Sequence, residues 1–211
     1  MASHQLSAVG RGADGPVTIA PMEPEHVRAV AHLHCATLRG LLSELGVSAA
    51  TAYYDACTRG RLAAAFVAIE DGAVQGFVLG ASQPAALRRE VLRTSPIGVF
   101  RGMAVGILRR PRALIWLVRS RVGPVEGQVN TRVPELTYLA VAPGLRGGGI
   151  GRQLVHAFTG AMRRAGVGAY ELSVDDDNRT AIGFYERLGF SQSARYREFG
   201  AGHVRYTYRI E

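Results

Sequence analysis

With 211 residues, 47% of them hydrophobic and 20% charged, the chain carries enough apolar material for one domain with its own core, which excludes a disordered or fibrous polymer. The formal net charge is +8 and all 25 basic residues are Arg, so a Walker-type phosphate loop, which needs a lysine after its last glycine, is excluded too. No apolar run reaches the roughly 20 residues of a membrane-spanning helix.

Residues 1–15 are rich in Gly, Ser and Ala and lack the apolar centre of a secretion signal; a disordered tail and a cytoplasmic location are expected. Residues 16–211 then read as a single domain. A short strand is expected over 17–20. Pro24 marks a helix start, with Glu23 and Glu25 near its positive end. Val27, Val30, Ala31, His34 and Leu38 form the apolar stripe of that helix. His32 and His34 lie two apart and do not share a helix face, and no carboxylate accompanies them, so they read as ordinary histidines and no metal is expected. Cys35 and Cys57 form no redox or ligand motif, and no disulfide is expected. Residues 41–59 are helical with a break near Gly46-Val47, and Tyr53 and Tyr54 are assigned to packing. Strands over 63–69 and 73–80 meet at Asp71-Gly72, a strong hairpin turn.

Residues 84–122 interleave apolar side chains with nine Arg against one acid, Glu90, a net +8 equal to that of the whole chain. Helices are expected over 85–93, 97–108 and 112–121. Three readings compete: a helical lid with a solvated basic rim, an acceptor or donor site for anions, and a basic amphipathic surface on an anionic membrane. A loop over 123–133 follows.

The apolar run 136–141 reads as a strand buried on both faces. Pro143-Gly144 breaks it, and Arg146-Gly147-Gly148-Gly149-Ile150-Gly151 opens a helix carried by Ile150, Leu154, Val155, Phe158, Ala161, Met162 and Ala165 until Gly166. Glycines at a helix entry let backbone N–H groups converge on one point, an anion site suited to a diphosphate, with Arg146 and Arg152 adding positive charge. Asp175–Asp177 lie at a suitable distance for the ribose-binding acid of a dinucleotide fold, but its G-x-G-x-x-G fingerprint is absent. A strand over 169–174 and a polar loop, Asp175-Asp176-Asp177-Asn178, lead to a helix with Ile182, Tyr185 and Leu188 on one face. Gly189 ends it, and strands over 190–197 and 203–210 close the chain. His156 and His203 read as structural.

Arg146-x-x-Gly149-x-Gly151 after Leu139-Ala140-Val141-Ala142-Pro143 resembles the acyl-CoA-binding signature of the GNAT superfamily of N-acetyltransferases. Asn178-Arg179-Thr180-Ala181-Ile182-Gly183-Phe184-Tyr185-Glu186-Arg187-Leu188-Gly189-Phe190 resembles its second signature. Together they cover the chain from Glu135 onward; the first half matches in its order of elements. The resemblance implies an α/β GNAT fold: a twisted, mostly antiparallel sheet of about seven strands flanked by helices, with 84–122 as a helical insertion between the third and fourth strands. It implies acetyl transfer from acetyl-CoA, as cosubstrate and without a metal, to a primary amine of a small molecule by direct attack in a ternary complex.

Carried over, the backbone of Leu139, Ala140 and Val141 would hold the thioester and pantetheine, with the Leu139 N–H as oxyanion donor. Arg146, Gly147, Gly148, Gly149, Ile150, Gly151 and Arg152 would meet the diphosphate, and Asn178 the pantetheine arm. Tyr185 would protonate the leaving thiolate, and Glu135 would be the general base. The basic insertion tilts the expected acceptor toward an anionic one. Two other functions stay open: a transferase whose donor is an acylated tRNA or carrier protein held by the insertion, and a non-catalytic CoA-binding regulatory module. Peripheral membrane contact, a monomer and a homodimer are also left open.

Overall fold

A computed structural model describes residues 16–94, 104, 105, 107, 108, 133–198 and 201–211. The expected tail, most of the insertion after 94 and nearly all of the 123–133 loop lie outside these residues.

Strand β1 (Thr18–Pro21) leads through a 3-10 turn (Pro24–His26) into α1 (Val27–Thr37). The turn is fixed at its start by the Glu23 N–H, which donates to His26 Nδ1 at 3.0 Å. Helix α2 (Leu41–Leu45) and α3 (Val47–Arg59) are separated by Gly46, whose φ of +85° no β-carbon residue adopts cheaply. Strands β2 (Ala63–Glu70) and β3 (Ala73–Ala81) form the expected hairpin, with Asp71 and Gly72 at φ +49° and +74°, the two positive values a tight primed turn requires. Helix α4 (Pro84–Thr94) opens the insertion. Then come β4 (Glu135–Val141), α5 (Ile150–Arg164), β5 (Ala169–Asp175), α6 (Arg179–Arg187), β6 (Ser191–Glu198) and β7 (Ala201–Arg209).

The strands form one sheet in the order β1-β2-β3-β4-β5-β7-β6, antiparallel at every step except β4–β5. Among the described strands, residues 84–122 fall between the third and the fourth. One face is covered by α1, α3 and α4, which bury Val27, Val30, Tyr54, Leu87 and Val91 with Phe77 and Leu79 of β3. The other is covered by α5 and α6, where Ile150, Leu154, Phe158, Met162 and Tyr185 pack with Tyr170, Leu172 and Tyr206. Full burial of such a side chain contributes about 1.5–3 kcal/mol, so two apolar layers on one sheet are what hold the chain together.

Two local irregularities position the site. The β3–β4 register jumps between Leu79 and Gly80: Leu79 pairs with Tyr138 but Gly80 with Leu136, leaving Thr137 as a bulge. Strict alternation would put Glu135 and Tyr138, three apart, on opposite faces. The extra residue returns both to the α1–α3 face: Glu135 opposes Ala81, a member of that core, and Tyr138 packs against it. The second is Gly151, whose missing β-carbon would lie 3.1 Å from the Phe184 ring; its smallness lets α6 approach the start of α5. Strand β4 is only partly buried, and Thr137 is exposed, unlike the fully buried strand expected from its apolar run.

Candidate active site

The parallel strands β4 and β5 are registered at one pair, Glu135 with Glu171, secured by the Glu171 N–H donating to Pro134 O at 2.9 Å. Beyond it they part, and a cavity of about 500 Å³ opens between them. Leu136–Leu139 of β4 and Leu172–Asp175 of β5 form its walls, Asn178, Ala181 and Tyr185 its α6 side, and Thr37, Leu38 and Arg39 its edge at the end of α1.

The direction of the β4 backbone follows from one hydrogen bond. Ala142 N–H donates to Gln75 O at 2.8 Å, toward β3. Main-chain groups alternate sides residue by residue, so Ala140 also points to β3, while the amides of Leu139 and Val141 point toward β5 and the gap. Of the three β4 residues expected to hold the cosubstrate, Leu139 lines the cavity; Ala140 is 5% exposed and turned away from the gap.

Past β4, Pro143–Leu145 makes one 3-10 turn, and Gly147 and Gly149 adopt φ +91° and +86° before α5 begins at Ile150. Gly147, Gly148 and Gly149 are exposed, as are the side chains of Arg146 and Arg152. The first-turn amides of α5 have no partner within the helix and carry the positive end of its dipole. The Arg146 Nε donates to Val141 O at 3.3 Å, which ties this guanidinium to the end of β4.

Tyr185 is 7% exposed and packs edge-on against Phe184 and Phe190, with centroids 5.0 and 5.3 Å away. Burial pushes its phenol well above its ordinary pKa, so it keeps its proton at any working pH. Asn178 spends its side-chain oxygen locally, accepting the Ala181 N–H at 3.1 Å as the N-cap of α6. That leaves its amide nitrogen for any ligand in the cavity.

On the α1–α3 side, Tyr138 meets His34 edge-on at 4.9 Å and Tyr53 at 6.0 Å. His34 Nδ1 shares a 2.7 Å hydrogen bond with the Tyr54 hydroxyl. Burial lowers the His34 pKa to about 4, and raises Tyr138 to about 12, with Cys57 and Glu135 adding to the latter shift. These groups are thus neutral at pH 7. His32, by contrast, is exposed, as its offset from His34 requires, and His156 is exposed on α5. His203 pairs with Asp175 at 3.2 Å, tying β7 to the end of β5.

Thr37, Leu38, Arg39, Ser173 and Asp177 line the cavity although no motif in the sequence marks them as doing so, and Tyr138 stands in the sequence only as part of an apolar run. Arg39 and Asp177 face each other at 4.0 Å from opposite sides, both largely exposed.

The model of the Acetyltransferase (GNAT) family matches residues 28–190. Mycothiol acetyltransferase from Rhodococcus opacus (strain B4) is 33% identical over 107 residues, 51% of this chain and 34% of that protein. The one from Salinispora arenicola (strain CNS-205) is 40% identical over 64 residues, 30% of this chain and 21% of that protein. This chain therefore matches about a third or less of the length of these relatives. Among solved structures, an acetyltransferase superposes with a TM-score of 0.64 at 19% identity, over 92% of this chain and all of the other. The ribosomal-protein-S18-alanine N-acetyltransferase from Escherichia coli superposes with a TM-score of 0.56 at 16% identity, over 93% and 95% of the two chains. The protein yncA from Salmonella typhimurium, solved with acetyl-CoA, gives 0.57 at 14%, over 92% and 94%. At these identities the structures show a shared fold, and the family match shows descent: the chain belongs to the GNAT family of acetyltransferases.

Proposed function

We propose that this protein moves an acetyl group from acetyl-CoA to a primary amine of a small molecule, by direct attack within a ternary complex. The observation that carries this reading is the gap between β4 and β5, with the Leu139 amide on its β4 side and Tyr185 on its wall; the glycine turn follows the end of β4.

Acetyl-CoA supplies the acyl group as an activated thioester. Arg146, Arg152 and the main chain from Gly147 to Gly151, with Ile150 at the first turn of α5, would bind its diphosphate. The Asn178 amide would meet the pantetheine arm. The Leu139 N–H would donate to the thioester oxygen as it gains negative charge, the preorganised stabilisation that contributes most in acyl transfer. Glu135 would accept the proton the amine must lose. As the N–C bond forms and the C–S bond breaks, Tyr185 would donate its phenolic proton to the sulfur and take back the second N–H proton that the nitrogen loses on becoming an amide.

Of the charged side chains lining the cavity, the carboxylates Asp175 and Asp177 suit an acceptor arriving as an ammonium ion, whereas the Arg39 guanidinium suits an anionic group elsewhere on it. The relatives named mycothiol acetyltransferase support a small-molecule acceptor. The test is a mass-resolved screen of amines with acetyl-CoA, paired with calorimetry of acetyl-CoA binding. Heat of binding with formation of an N-acetylated product is expected. A well-folded protein that binds no CoA species would overturn the assignment; binding without turnover across a broad amine panel would favour a regulatory module.

A further inference from the structure

We propose that the outer face of α4, together with Leu108 on the same helical side of the sheet, is a docking surface for an anionic lipid bilayer. Helix α4 turns Leu87 and Val91 inward, 3% and 4% exposed, against the layer formed with α3. Its one acid is turned the same way: the two Glu90 carboxylate oxygens accept the backbone N–H groups of Arg61 and Leu62, each at 3.2 Å. What remains outward is Arg88, Arg89, Leu92 and Arg93, all exposed. Residues 88 and 92, and 89 and 93, are four apart, so they form one stripe on the helix surface.

The apolar component decides the partner. Among the described residues the large hydrophobic side chains left exposed are Leu92, at 53%, and Leu108, at 86%, and both belong to residues 84–122. Ile107, next to Leu108, packs on Leu45 and Ala49 of the α2–α3 layer, so this second leucine is presented from the same helical side of the sheet as α4. Arginines interspersed with exposed leucines match the bilayer interface, where guanidinium groups meet lipid phosphates and leucines enter the acyl boundary. A nucleic acid would use the charge but give the leucines nothing to bury in. Charge points the same way: residues 84–122 carry a net +8, equal to that of the whole chain.

The full chain would be sedimented with vesicles of phosphatidylcholine alone and with 30 mol% phosphatidylglycerol, at low and high NaCl. Circular dichroism and thermal unfolding would confirm folding independently of any enzymatic assay. Pelleting with the anionic vesicles at low salt, and much less with the neutral ones, is expected. Each arginine near a charged surface changes partition roughly five-fold, so Arg88→Gln with Arg93→Gln should weaken it roughly 25-fold. Leu92→Ser should reduce whatever binding persists at high salt, where charge is screened. No pelleting of folded protein at any salt overturns the proposal. So does binding of a single-stranded RNA oligonucleotide that is tighter than vesicle binding and equally weakened by the Arg substitutions, which would assign the face to nucleic acid.

Discussion

Glu135 of β4 stands beside Glu171 of β5 as the one registered pair between these parallel strands, at the point where they separate. The two carboxylates are not equivalent. Glu171 is held by Arg205, whose Nη1 donates to its Oε2 at 3.2 Å, with Arg205 itself 7% exposed. Glu135 faces the Tyr53–Tyr138 side, and its charge helps hold both phenols protonated after burial has done most of that. If Glu135 takes the amine proton, Glu135→Gln should lower kcat/KM roughly 10²-fold, the lower range for general-base catalysis, with acetyl-CoA affinity unchanged. Steady-state kinetics across pH checks this. Full activity in the variant would return proton removal to solvent.

Tyr185→Phe keeps the ring that packs on Phe184 and Phe190 and removes only the hydroxyl. Turnover should fall roughly 10²-fold, while acetyl-CoA affinity by calorimetry stays near that of the parent. An equal loss in affinity and turnover would make the tyrosine a binding group rather than a proton donor.

The glycine turn can be tested without steric confusion. A β-carbon on Gly147, Gly149 or Gly144 meets nothing within 4 Å, but only Gly147 and Gly149 have positive φ, +91° and +86°. Gly147→Ala and Gly149→Ala should each cost about 1–2 kcal/mol of backbone strain and weaken acetyl-CoA binding. Gly144→Ala should be close to neutral in both. Thermal unfolding and calorimetry read the two effects. Intact affinity in the strained variants would remove the turn from the diphosphate site.

Where the local chain dictates the geometry, the sequence was legible. Asp71-Gly72 announces a hairpin, Gly46 a helix break, and Gly147–Gly149 a helix entry, because each needs a backbone conformation that few residues adopt. The succession of strands along the chain and the place of the insertion followed from the same punctuation together with the GNAT resemblance. The bulge at Thr137 left no such mark, since its cause lies in pairing with β3, and the shared face of Glu135 and Tyr138 depends on it. Nor could Thr37, Leu38 and Arg39 be read as cavity residues. They reach it from the end of α1 only because that helix packs across β3 and β4, a contact between distant parts of the chain.

His34 gives the fold a pH dependence of definite sign. It is 1% exposed, hydrogen-bonded to Tyr54, and burial lowers its pKa from 6.5 to about 4. Between those two values the unfolded chain holds a proton on this imidazole that the folded chain does not. Stability therefore rises with pH through this window and levels off above it; acidification from 6.5 toward 4 removes on the order of 3 kcal/mol. Tyr53, Tyr54 and Tyr138, packed around it, have pKa values raised by burial and stay neutral throughout. His34→Gln keeps a polar partner for the Tyr54 hydroxyl but cannot titrate. In urea unfolding, the stability lead of the parent over this variant should shrink steadily between pH 7 and pH 4.5. A gap constant with pH would mean that the imidazole reaches water in the folded protein, and that its contacts with Tyr54 and Tyr138 are looser than their geometry implies.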